Sequence, residues 1–77
     1  MDRPMADAMI HIDETLSEES LKKIAEAVRE NECVISAGIP AGNRHMMLVA
    51  YNPECASAAG ILERVKSAGV HAELVGM

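Results

Sequence analysis

Hydrophobic and polar positions alternate with a period of two over 8–13, three further short stretches read as extended, the third with apolar side chains on both faces, and two longer ones carry a helical period. Residues 8–13 place Ile10 and Ile12 on one side of a strand and Met9, His11 and Asp13 on the other. Thr15 and Ser17 then offer two helix caps, Glu18 and Glu19 suit the positive end of a helix dipole, and Leu21, Ile24, Ala25 and Val28 form a stripe, so a helix is predicted over 18–30. Asn31 is a candidate for a left-handed residue at its end. Residues 33–39 are extended again, and Pro40 through Arg44, with Gly42 and Asn43 inside, predicts a turn into a third strand over 45–51. Asn52 and Pro53 break that strand. Ser57 caps a second helix whose stripe is Ile61, Leu62, Val65 and Ala68, Gly69 stops it, and 70–75 is a short last strand.

The order βαββαβ predicts an α+β fold of the ferredoxin-like kind, a two-layer sandwich with two helices on one face of a four-stranded antiparallel sheet. Residues 1–7 mix Pro with charge and lack periodicity, which makes them a flexible lead-in to a domain over 8–77. At 77 residues there is room for one domain, and with no Phe, no Trp and a single Tyr its core must be aliphatic. A formal net charge of −5 argues against nucleic-acid partners, and neither a signal segment nor an apolar run long enough for membrane insertion is visible. Two cysteines are few for a small secreted domain, so reduced thiols and a cytoplasmic location are expected.

From Val49 through Glu54, and again at Ile61, Leu62, Val65, Ser67 through Val70 and Ala72 through Leu74, the chain resembles the C-terminal half of a heavy-metal-associated domain. The resemblance covers roughly residues 8–75 and implies the same βαββαβ fold, with strand order four, one, three, two. It also implies a metal loop after the first strand, where the family carries Cys-x-x-Cys for a soft ion such as Cu(I). Counting back from Ile24, Ala27 and Val28, those positions are Ser17 and Ser20. A neutral, hard hydroxyl does not replace a thiolate, so this loop is degenerate, and Ser17 reads first as a helix cap.

Two other groups carry candidate chemistry. Cys33 and Cys55 fall at the end of the sheet away from Ser17; without Cys-x-x-Cys spacing they read first as a half-buried packing residue and an incidental loop residue, with a bridge or a displaced metal site as the alternatives. Strand parity collects Met9, His11, Asp13, Met46, Leu48, Ala50, His71, Glu73 and Val75 on the uncovered sheet face. The apolar members Met9, Met46, Leu48 and Val75, with His11, make an interaction face for a partner protein or a second copy, unless Met1, Met5 or Met77 folds over it. His11, Asp13, His71 and Glu73 read first as cross-strand polar pairs and alternatively as ligands for Zn²⁺ or another transition metal. His45, of opposite parity, is expected to cap the turn or to be solvated. No catalytic set stands out and no cofactor is expected, so the sequence describes a binding module acting through its open sheet face, with a metal carrier using ligands outside the family loop as the alternative.

Overall fold

The computed structural model describes residues 5–40 and 42–75, and within them the six elements form in the expected order: β1 (Ala6–Ile12), α1 (Glu18–Arg29), β2 (Val34–Gly38), β3 (Met46–Tyr51), α2 (Ala58–Lys66) and β4 (Ala72–Leu74). The strands make one antiparallel sheet in the order β2-β3-β1-β4, the expected one read from its other edge. β1 pairs with β3 from Ala6 opposite Tyr51 to His11 opposite Met46, and with β4 through His11 opposite Glu73. This is the ferredoxin-like arrangement of the βαββαβ order.

One face of the sheet supplies Ala8, Ile10 and Ile12 from β1, Ala37 from β2, and Met47, Val49 and Tyr51 from β3. Against it lie Leu21, Ile24, Ala25 and Val28 of α1 and Ile61 and Val65 of α2, the inward stripes of the two helices. No charged side chain is buried among the described residues, and each larger aliphatic chain contributes about 1.5–3 kcal/mol of transfer free energy to a core whose one aromatic ring is that of Tyr51. Charged contacts fasten the helix layer at its rim: Arg29 donates to the Ala37 carbonyl at 2.7 Å, and Arg64 of α2 reaches Glu30, just past α1, at 2.8 Å.

Several details differ from expectation. β1 begins at Ala6, so the last two residues of the expected lead-in pair with β3; Ala6, Asp7 and Ala8 keep the alternation, with side chains too small to show it in the sequence. β4 is three residues long, although the Asp13 and Val75 amides continue its ladder toward the carbonyls of His71 and Met9 at 2.9 and 2.8 Å. α1 closes at Glu30 in right-handed geometry, and Asn31 is not left-handed; its side chain instead accepts from the Cys33 amide at 2.8 Å. β2 carries a register shift between Val34 and Ser36, which leaves Ile35 exposed. Positive φ occurs among the described residues only at Gly42 and Gly69, the turn and the helix stop where it is needed. No helix among them is long and apolar enough to cross a membrane.

Candidate functional site

The loop after β1 ends in the cap of α1. Ser17 has extended backbone geometry, its Oγ accepts the Ser20 amide at 3.2 Å, and its hydroxyl donates to Ser20 Oγ at 3.1 Å. Both oxygens are therefore engaged in closing the first turn, as the cap reading expects, and neither is a soft donor. This loop does not fit a Cu(I) ion.

At the opposite end of the sheet, Cys33 and Cys55 form a disulfide with Cα atoms 5.9 Å apart, which corrects the expectation of two reduced, separate thiols. Two side-chain-closed turns bring them together: Asn31 Oδ1 holds the Cys33 amide, Asn52 Oδ1 holds the Glu54 amide, and the Asn52 amide donates to the Cys33 carbonyl at 2.7 Å. The start of β2 and the exit of β3 thus converge, and sulfurs bonded to each other are not thiolate ligands, so the pair is withdrawn as a metal site.

The uncovered sheet face matches the parity reading in its apolar part. Met9 is 37% and Leu48 44% exposed, and both line a shallow depression of about 350 Å³ together with Asp7, Ser36 and Ala50. Met46 and Val75 are half-buried. Met1 and Met77, considered as covers for this face, lie outside the described residues, and Met5 is 61% exposed.

Its polar corner differs from the expected quartet. His11, Asp13 and Glu73 converge, each with a ligand-type atom within 4.8 Å of the others. His71 leaves the group: its Nδ1 lies 2.8 Å from Glu14 Oε2, and its amide donates to the same carboxylate at 2.9 and 3.1 Å. It stands just outside β4, where strand alternation no longer fixes its direction. The hydrogen bond from His71 lowers the pKa of the Glu14 carboxyl below its ordinary value, and the same bond raises that of His71. Glu14 escaped the sequence reading because it lies 57 positions from its partner; the signal was the β1–β4 register, which brings the residues after Ile12 against those before Ala72.

His45 was also undervalued. Its Nδ1 lies 2.8 Å from the Ile12 carbonyl, which requires a proton on that nitrogen, and its ring stacks on His11 with centroids 5.9 Å apart and planes 17° from parallel. His45 is thus half-buried, with its ring tied to the end of β1 and not to the turn. It backs the His11 ring.

No protein-family model matches the chain, and no curated protein matches it. Among solved structures it is similar to a copper-binding domain from HMA7, a P-type ATPase, at 16% identity and a TM-score of 0.80, over 91% of this chain and 93% of that one. The yeast copper transporter domain Ccc2a, solved in apo and Cu(I)-loaded states, aligns at 17% identity and 0.78, covering 91% and 94%. The N-terminal domain of a potential copper-translocating P-type ATPase from Bacillus subtilis, in its Cu(I)-loaded state, aligns at 23% identity and 0.80, covering 91% and 86%. At these identities the likeness shows the fold, the one that the sequence resemblance implies.

Proposed function

We infer that this chain is a non-catalytic docking module whose open sheet face receives a protein partner with an apolar centre and a basic rim. The observation that carries this reading is the composition of that face. Met9 and Leu48 are exposed at its middle, Asp7, Asp13 and Glu73 stand around them, and every Lys and Arg from Lys22 to Lys66 belongs to a helix or to the Arg44 turn. Burying an apolar strip drives association, while the carboxylates around it select the charge of what approaches. A second copy would oppose like charges across the same face, so a different protein is favoured. The similar structures are of copper-binding domains, one of them from a potential copper-translocating ATPase, and the Ser17 and Ser20 loop does not support carriage of that ion here.

The test places a photo-reactive side chain at Leu48 and, as control, at Glu26 on the outer face of α1, within the host cells. The expected result is a discrete adduct from position 48 whose partner, once purified, binds the wild-type chain and not a Met9→Asp, Leu48→Asp double variant. Equal adducts from both positions, adducts only from α1, or a covalent dimer of this chain from position 48 would each overturn the proposal.

A further inference from the structure

We propose that His11, Asp13 and Glu73 form a binding site for a divalent cation of the zinc class at the polar end of the open sheet face. The placement is dictated by the sheet. His11 and Glu73 are direct cross-strand partners of β1 and β4, and Asp13 follows His11 by two positions, so all three point out of the same face. Their ligand-type atoms lie within 4.8 Å of one another. Bonds of about 2.0–2.2 Å from one ion need donors about 3–4 Å apart, a closure of about an ångström that side-chain rotation at exposed carboxylates supplies.

A second observation points the same way. His11 Nδ1 is shut off from solvent and has no hydrogen-bond partner; Asp13 Oδ1 lies 3.2 Å from it but without hydrogen-bond alignment. The His11 side chain as a whole is 39% exposed, but its Nδ1 is covered and has only a misaligned carboxylate oxygen beside it, a polar demand that a cation shared with Asp13 and Glu73 would meet. Simple ion pairing does not: Glu73 makes no salt bridge among the described residues and Asp13 only the one with His11, while Lys66, which lines the depression beside them, is held 3.4 Å from Glu63. His45 stacks on the His11 ring and is itself tied to the Ile12 carbonyl, which limits the rotational freedom that a ligand would lose on binding.

Donor chemistry selects the ion. One neutral imidazole and two carboxylates balance a double positive charge and suit Zn²⁺, leaving a fourth position for water, whereas a set with no sulfur is poor for Cu(I). The site lies outside the Ser17 loop; an ion there would neutralise Asp13 and Glu73 and leave the docking reading to Asp7 and the apolar centre, and zinc titration of the isolated chain tests the site without a partner.

The experiment is calorimetric titration of Zn²⁺ into the full chain, with ¹H–¹⁵N spectra recorded along it. One ion per chain is expected, with shifts centred on His11, Asp13 and Glu73. His11→Ala and Glu73→Gln, shown by the same spectra to remain folded, should each weaken binding roughly tenfold or more. A Cys33→Ser, Cys55→Ser double variant, if folded, should bind as wild type. Absence of saturable binding at roughly millimolar zinc, undiminished affinity in both ligand variants, or shifts centred on His71 and Glu14 would overturn the proposal.

Discussion

Replacing Ser17 by alanine tests whether the Ser-x-x-Ser loop is a helix cap. Ser17 Oγ accepts one helix amide, that of Ser20, at 3.2 Å, in an exposed setting where water replaces it at moderate cost. Loss of such a cap costs about 1 kcal/mol. For a domain of this size that corresponds to a fall in melting temperature of about 4–8 °C. Ser20→Ala should behave differently, because the Ser20 hydroxyl only receives an exposed hydrogen bond and alanine is the better helix former by a few tenths of a kcal/mol. Ser17→Asp keeps an acceptor and should recover most of the loss, less a repulsive contribution from Glu18 and Glu19 in the first turn. Ser57 supplies an internal control, since its Oγ accepts the amide three residues on, that of Gly60, at 3.0 Å at the start of α2. With one Tyr and no Trp, urea unfolding is best followed by helical circular dichroism. Equal losses in Ser17→Ala and Ser20→Ala, or no loss in Ser17→Ala while Ser57→Ala is destabilised, would refute the cap assignment.

Two further outcomes follow from the opposite end of the sheet and from the His71 pair. Breaking the Cys33–Cys55 bridge, which closes a loop across a separation of 22 residues, should cost about 3 kcal/mol; thiol counting before and after reductant, with a urea curve for each state, checks it, and free thiols in oxidised protein would refute the bridge. The Glu14–His71 contact should stabilise most between pH 4.5 and 6.5, the ordinary values of the two groups. Its Glu14 share is lost as pH falls through the lowered carboxyl value and its His71 share as pH rises through the raised imidazole value. Both groups are exposed, so salt should weaken the effect, and an NMR titration in which Glu14→Gln leaves the His71 midpoint unchanged would rule the contact out.

The sequence shows the fold wherever a period is carried by large side chains. Ile10, Ile12, Met47 and Val49 define the inner face of the sheet, and Leu21, Ile24, Ala25, Val28, Ile61 and Val65 the helix stripes that cover it. The start of β1 at Ala6 and the bulge at Ile35 are not legible, because Ala6 and Ala8 are too small to mark a face and a bulge is fixed by pairing with β3. In the polar corner, parity brings together His11, Asp13 and Glu73, since all three lie on or beside the paired core of β1 and β4. Parity fails for His71 because β4 begins one residue later. For Cys33 and Cys55 the expected topology already places both at one end of the sheet and leaves a bridge open; the spacing does not show the β2–β3 register that brings the two loops into contact.

The Ser17 loop separates what backbone geometry offers from what the side chains do with it. At the start of any helix, residues three apart turn their side chains toward each other, and unsatisfied amides favour an acceptor or a negative charge there. Two thiolates in that position would gain from the same field and could share a soft ion between them. Two hydroxyls keep their protons, and here the Ser17 oxygen turns back onto the Ser20 amide. A turn of this kind would suit metal capture with two thiolates, and with the two hydroxyls present here it closes the helix. Since neither choice alters the core, similarity of fold at 16–23% identity carries no vote on which chemistry is present. The donors that a hard or borderline ion would need stand instead on the sheet, at His11, Asp13 and Glu73, where strand pairing and not a helix terminus holds them together.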